Sequence, residues 1–165
     1  MTYKKTLLNE KELQVALEKL AAEIAAKNGN AVMYLLSINE RADYIAKQMA
    51  ALLKASGAKP MATLNSKLLN LYKDNPPPIK LPDNTRALII TDVVHTGVST
   101  QTIVDNVAHF IPHPAQVLTL VLNENIKLKA DAIFAALTIP LTNKDIITVS
   151  VEGTDGKQGI ELYEV

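Results

Sequence analysis

The sequence predicts an α/β fold in which a mostly parallel central sheet is flanked by helices and followed by a C-terminal β-hairpin. Continuous apolar runs at Ala31–Ile38 and Gln116–Leu122 have the character of strands buried on both faces. Segments with helical spacing of apolar residues separate these runs, and such alternation is typical of parallel sheets. With 165 residues and 48% hydrophobic content, we expect one domain spanning residues 1–165.

The first predicted element is a helix that begins after Asn9. Glu12 follows three residues later, which is the spacing of a capping box. A stripe of apolar residues then recurs at helical spacing: Leu13, Leu17, Leu20 and Ile24. Gly29 is expected to end this helix, and the strand Ala31–Ile38 follows it.

The second predicted helix covers Arg41–Ser56 and ends at Gly57. Met61–Leu64 is expected to form a short strand. Residues Asn75–Asn84 include three consecutive prolines, which are incompatible with a helix interior or a central strand. This stretch is therefore predicted to be a loop.

The most informative segment is Arg86–Thr102. It begins with the apolar strand Ala87–Val94, and Asp92 falls near the carboxyl end of that strand. The turn His95–Thr100 comes next and leads into a helix. That helix is indicated by three apolar residues on one face: Ile103, Val107 and Phe110.

The turn before this helix is predicted to bind an anion beside the carboxylate of Asp92. A helix amino terminus has free N–H groups and a favourable dipole, and Thr96, Ser99 and Thr100 add hydroxyl donors. The alternative is an ordinary strand-to-helix turn in which Ser or Thr caps the helix. Ligands of parallel sheets sit at the carboxyl ends of strands, so the three apolar strands are expected to share one site.

After the strand Gln116–Leu122 the sequence predicts a short helix over Asp131–Leu137. Two segments, Ile146–Glu152 and Ile160–Val165, then alternate in polarity on either side of a glycine-containing stretch. This pattern predicts the C-terminal hairpin.

The composition excludes several classes of protein. The 17 basic residues balance the 17 acidic ones, and only Arg41 and Arg86 are arginines, which argues against strong RNA or DNA binding. No apolar run is long enough to cross a membrane, and there is no cysteine. The 3 histidines lack metal-binding spacing, so no protein metal site is expected. Without an export signal, a cytoplasmic location is the expectation.

The central segment resembles the phosphoribosyl-diphosphate (PRPP) motif of type I phosphoribosyltransferases. Thr91-Asp92 stands where that motif has two acidic residues, and Thr96–Thr100 stands where it has the 5′-phosphate loop. The resemblance implies that Asp92 holds the ribose hydroxyls. It implies that the 5′-phosphate is held by the loop residues Thr96, Gly97, Val98, Ser99 and Thr100. Val98 occupies a place where related proteins carry arginine.

Over nearly its whole length the chain resembles the pyrimidine-operon attenuator (PyrR-like) family, whose members are also uracil phosphoribosyltransferases. The segment Leu35–Ala42 stands at the loop that binds diphosphate, which assigns that role to Asn39, Glu40 and Arg41. Asn39 replaces a lysine of the family. Leu71–Asp74 resembles the residues that precede the flexible catalytic loop.

These resemblances imply a type I phosphoribosyltransferase fold and the transfer of ribose 5-phosphate from PRPP to a nucleobase of the pyrimidine or uracil type. Mg²⁺ would accompany PRPP, and a homodimer is expected. The resemblance assigns no catalytic residue. Asn123-Glu124 stands where the family places Asp-Arg to read uracil. The alternative is a catalytically weak or inactive paralogue that senses PRPP or a nucleoside monophosphate as a regulator.

Overall fold

A computed structural model describes residues 1–61, 64–65, 67–68, 80–151 and 157–165. Its central element is a five-stranded, fully parallel sheet with the strand order β3-β2-β4-β5-β6. The strands, in chain order, are β2 (Val32–Ser37), β3 (Lys59–Pro60), β4 (Thr85–Val94), β5 (Gln116–Asn123) and β6 (Ala132–Ile139). The predicted α/β class with a mostly parallel sheet is confirmed.

Three helices within the described ranges flank this sheet: α1 (Glu10–Asn28), α2 (Glu40–Ala55) and α3 (Val98–Val107). One apolar cluster lies between the sheet and the pair α1 and α2, and a second lies under α3. The central strands β2, β4 and β5 are covered on both faces, which explains their continuous apolar sequences. None of the described helices has the length and apolar character needed to cross a lipid bilayer.

The start of α1 is as predicted. The Asn9 side chain accepts a hydrogen bond from the Glu12 backbone at 2.8 Å, and the Glu12 carboxylate accepts one from the Asn9 backbone at 3.2 Å. This reciprocal capping box satisfies two N–H groups that otherwise have no partner in the first helical turn.

A second sheet is antiparallel and has the order β1-β8-β7. Its members are β1 (Thr2–Leu8), β7 (Asp145–Ser150) and β8 (Gly159–Glu164). The pairing of β7 with β8 confirms the predicted C-terminal hairpin. No strand was predicted over Thr2–Leu8, where the mostly exposed β1 pairs with β8.

The predicted short helix Asp131–Leu137 is wrong, because this segment forms the strand β6. Seven residues of β6 pair in parallel with β5. The predicted strand Met61–Leu64 is displaced: β3 is Lys59–Pro60, and Leu64 forms an isolated bridge with Leu36. Leu71–Asp74 and residues 75–79 of the proline-rich loop lie outside the described residues.

Candidate phosphate and ribose site

The carboxyl ends of the neighbouring strands β2 and β4 open into a cleft of about 360 Å³. Strand order reverses at this point, because β3 lies on one side of β2 and β4 on the other. Such a reversal is where ligands bind in open parallel sheets. The described residues lining the cleft are Ile38, Asn39, Thr91, Asp92, Val93, Val94, His95, Thr96, Gly97, Ser99 and Thr100.

The amino terminus of α3 forms one wall of the cleft, and no side chain caps it. Gly97, at the cap position, has a φ of +81°, and its carbonyl accepts the first helical hydrogen bond, from Gln101, at 2.9 Å. The Val98 N–H has only a long contact of 3.5 Å with the Thr96 hydroxyl. The first turn also carries no acidic residue. Its N–H groups and dipole therefore remain available to an anion.

Gly97 is required for packing as well as for backbone geometry. A Cβ placed there would lie 2.8 Å from Cγ2 of Ile126 and 3.1 Å from Cδ2 of Leu128. The segment from Glu124 to Ala130, which we call the strap, thus packs against the turn His95–Thr100. We call this turn the phosphate turn after its predicted ligand. The strap is also tied to α3, because the Gln101 side chain exchanges hydrogen bonds of 2.8 and 3.3 Å with the Lys129 backbone.

Asp92 lies across the cleft with its two carboxylate oxygens in different environments. Oδ1 accepts hydrogen bonds from the Val93 N–H at 2.9 Å and from the Asn39 amide at 3.0 Å, with a longer contact of 3.5 Å to the Thr91 hydroxyl. Oδ2 accepts no hydrogen bond from the described residues. Oδ1 therefore fixes the position of the carboxylate, and Oδ2 can accept hydrogen bonds from the hydroxyl groups of a ligand.

The amino terminus of α2 differs from that of α3. The side-chain oxygen Oδ1 of Asn39 caps it by accepting the Ala42 N–H at 2.8 Å. Its first turn carries Glu40 and Asp43, and the Asp43 carboxylate accepts a short hydrogen bond from the buried Ser37 hydroxyl. The negative charges already complement the helix dipole at this end.

The Arg41 side chain, predicted to bind diphosphate, contacts the second sheet. Its Nε donates to the Val149 carbonyl at 2.8 Å, and Arg41 does not line the cleft among the described residues. Glu40 and Val98 also lie outside the described lining, and Val98 is 69% exposed. The other predicted site residues come together in the cleft: Asn39, Asp92, Thr96, Gly97, Ser99 and Thr100.

Asn123 organises this edge of the sheet, a role that the sequence alone did not reveal. Its amide donates to the His95 carbonyl at 2.9 Å, and its side-chain oxygen accepts from the N–H groups of Asn125 and Leu141 at 3.2 and 3.1 Å. The residue is 4% exposed. Asn123 thus ties the phosphate turn to the segments after β5 and β6. The only feature of the sequence that could have indicated this role is an amide residue at the end of an apolar strand.

Asp145 is the first residue of β7, and Thr142, in the turn before this strand, donates to its side chain. The pKa of the Asp145 carboxyl lies below its ordinary value, chiefly because the Thr142 N–H and hydroxyl donate to it at 2.6 and 2.9 Å. Smaller contributions come from the charges of His95 and Lys4, and desolvation acts in the opposite direction. Over the described ranges, no three acidic, histidine or cysteine side chains cluster in a way that would hold a metal ion.

Known structures share this architecture. The hypoxanthine-guanine phosphoribosyltransferase of Leishmania tarentolae, solved with GMP, superposes with a TM-score of 0.70 over 97% of both chains at 14% identity. An enzyme of the same name from Bacillus anthracis gives 0.68 over 96% of both chains at 15% identity. The fold is that of the type I phosphoribosyltransferases.

The similarity to curated sequence relatives covers nearly the whole chain. The bifunctional protein PyrR of Clostridium novyi is 26% identical over 178 residues, covering 99% of each chain. That of Thermus thermophilus is 25% identical over 183 residues, covering 99% of this chain and 98% of its own. No family model matches the sequence. The chain is similar over its full length to the PyrR proteins and shares the fold of the type I phosphoribosyltransferases.

Proposed function

We propose that this chain binds a ribose 5-phosphate compound, either PRPP or a nucleoside monophosphate, in the cleft between β2 and β4. The observation that carries the proposal is the uncapped amino terminus of α3 facing the same cleft as Asp92. N–H and hydroxyl donors at the turn suit a phosphate, and a carboxylate suits a pair of ribose hydroxyls.

The proposed ligand contacts follow from these donors and acceptors. Thr96, Ser99, Thr100 and the N–H groups that begin α3 hold the 5′-phosphate. Asp92 accepts the ribose hydroxyls through Oδ2, while its Oδ1 stays bonded to Val93 and Asn39. The backbone around Asn39 and Glu40 is the proposed place for a diphosphate group.

If the protein is active, it transfers ribose 5-phosphate from PRPP to a nucleobase of the pyrimidine or uracil type. Positive charge develops on the sugar and negative charge on the leaving diphosphate, so positioning and electrostatics carry such catalysis. Asp92 is the only carboxylate among the described lining residues. Mg²⁺ would therefore be held mainly by diphosphate oxygens and water, as is usual for this ion.

The second candidate function is a catalytically weak or inactive regulator that senses a nucleotide. The observation that favours it is that no lysine or arginine is among the described residues lining the cleft, where the Asn39 amide is already bonded and Arg41 contacts Val149. Sequence resemblance also leads us to propose one domain over residues 1–165, a homodimer and a cytoplasmic location.

Calorimetric titration with uridine monophosphate tests the binding proposal, and a turnover assay with PRPP, Mg²⁺ and a panel of nucleobases separates the two functions. We expect saturable one-to-one binding of the monophosphate, abolished when the phosphate is absent. Equal affinity for uridine and uridine monophosphate would contradict a phosphate site. Product formation with any base would establish the enzyme over the regulator.

A further inference from the structure

The two helices that begin at the cleft differ in their capacity to accept an anion. The amino terminus of α3 has no side-chain cap and no acidic residue in its first turn. The amino terminus of α2 is capped by Asn39 and carries Glu40 and Asp43. The amino terminus of α3 alone can bind a ligand with a single phosphate. A ligand with a diphosphate at the sugar C1 would bring further negative charge toward the amino terminus of α2.

The Asn39 side chain has both of its polar atoms engaged. Its oxygen accepts the Ala42 N–H at 2.8 Å, and its nitrogen donates to Asp92 Oδ1 at 3.0 Å. Diphosphate binding by this amide would therefore require breaking the contact with Asp92. The same contact holds Asp92 in place and leaves Oδ2 to the ribose.

Charge on the described lining of the cleft points the same way. Asp92 is its one acidic residue, and no lysine or arginine is among the described residues that line it. Arg41 directs its Nε to the Val149 carbonyl. A monophosphate can be held by N–H and hydroxyl groups, whereas a diphosphate carries more negative charge and gains more from charge-assisted contacts with cations.

We propose that this cleft is selective for ribose compounds with a single 5′-phosphate, such as nucleoside 5′-monophosphates, over PRPP, and that Asn39 is a positioning residue that holds Asp92 for the sugar. This inference rests on the proposed function, since it assigns the phosphate to the α3 turn and the ribose to Asp92.

Ribose 5-phosphate and PRPP form a matched pair, because they differ only in the diphosphate at C1. Titration of the full-length protein with each, in the presence of Mg²⁺, isolates the contribution of that group. We expect PRPP to bind at least about threefold more weakly than ribose 5-phosphate, and uridine monophosphate to bind at least as tightly as ribose 5-phosphate. A dissociation constant for PRPP less than about threefold above that for ribose 5-phosphate, or below it, would overturn the selectivity while leaving the proposed function intact. Absence of binding by all three compounds would overturn both.

Substitutions at Asn39 test its positioning role. Asn39→Ser keeps a good helix cap but removes the donor to Asp92. We expect it to weaken ribose 5-phosphate several-fold and to leave binding of inorganic phosphate unchanged, because inorganic phosphate needs only the α3 turn. Asn39→Lys restores a cation on the diphosphate side and should raise the affinity for PRPP relative to ribose 5-phosphate by about tenfold or more. Asn39→Ala, which lacks both cap and charge, is the control for that gain. Equal loss of ribose 5-phosphate and inorganic phosphate in Asn39→Ser would show a general distortion and refute the positioning role.

Discussion

At the residue scale, the site depends on contacts between positions distant in sequence. The bond between Asn39 and Asp92 joins residues 53 positions apart, and the bond between Asn123 and His95 joins residues 28 apart. The sequence predicted that Asp92 and the hydroxyl-rich turn share one edge of the sheet, because the ends of parallel strands meet there. It could not predict which atoms of Asn39 would be engaged, since side-chain pairing depends on the helix and strand orientations. Phosphate and ribose binding by these residues stays a prediction.

Asp92→Asn should weaken ribose binding while the fold stays intact. The substitution removes the charge that strengthens hydrogen bonds to the ribose hydroxyls, which are worth about 1.5–3 kcal/mol when charge-assisted. Affinity for ribose 5-phosphate should therefore fall by about tenfold or more. Calorimetry measures the loss, and inorganic phosphate is the control ligand, because it should bind as before. Unchanged affinity for ribose 5-phosphate would refute the role of Asp92.

Gly97→Ala should lower the free energy of unfolding by more than Gly57→Ala does. Both glycines have positive φ, at +81° and +89°, which costs an L-residue about 1–2 kcal/mol. Only at Gly97 would the new methyl group also meet other side chains, with Ile126 Cγ2 at 2.8 Å, whereas no atom lies within 4 Å at Gly57. Chemical denaturation of the two variants measures the difference. Equal destabilisation would show that the strap moves aside without cost.

At the element scale, pairing between strands overrode local sequence preference in two places. The β6 sequence is rich in alanine, which favours helices, and its continuous apolar character also fits a buried strand. Seven pairs with β5 decide in favour of the strand. The exposed β1 has little alternation and forms a strand because β8 provides its partner. By contrast, the capping box of α1 is local, so the sequence alone predicted it.

The strap between β5 and β6 should stabilise the phosphate turn through Gln101. Gln101→Ala removes the hydrogen bonds of 2.8 and 3.3 Å to the Lys129 backbone. We expect a loss of about 1–2 kcal/mol of stability, from net values of about 0.5–1.5 kcal/mol for a hydrogen bond, and weaker binding of inorganic phosphate. Denaturation and phosphate titration are the measurements. Gln14→Ala, which removes an exposed side-chain contact on α1, is the matched control and should change neither.

The turn that precedes β7 should contribute a pH-dependent part of the stability. Hydrogen bonds from Thr142 lower the pKa of folded Asp145 below 3.8, so the folded state favours the ionised carboxylate. This contribution is present above the pKa of the unfolded chain and is lost as the pH falls through the folded pKa. The difference in unfolding free energy between the wild type and Asp145→Asn should be complete at neutral pH and should shrink below about pH 4. A difference that is constant with pH would contradict the assigned cause.

At the scale of the whole molecule, the fold is that of the type I phosphoribosyltransferases, whereas the sequence resemblance implies that several charges around the site are changed. The fold depends on the apolar pattern of the strands and helices, and this pattern can be identified in the sequence. Ligand chemistry depends on a few polar side chains, and those are where this chain departs from the family pattern. Val98 occupies an arginine position and is exposed, and Glu124, at another arginine position, is exposed and bonded through its backbone to Ile139.

Uracil phosphoribosyltransferase activity should consequently be low or absent. Val98 supplies no charge to phosphate, Asn39 supplies none to diphosphate, and Glu124 places negative charge where the family uses a cation for the base. Each lost charge-assisted contact is worth about 1.5–3 kcal/mol, so the combined loss should exceed about 4 kcal/mol, or roughly a thousandfold in rate. The assay is formation of uridine monophosphate from uracil, PRPP and Mg²⁺ by the purified full-length protein. The double variant Asn39→Lys with Val98→Arg should raise the rate, whereas Val15→Arg, which adds a single positive charge at an exposed position on α1, should not. A wild-type turnover number above about 1 s⁻¹, within the ordinary range for enzymes, would show that the chain catalyses the reaction despite these substitutions.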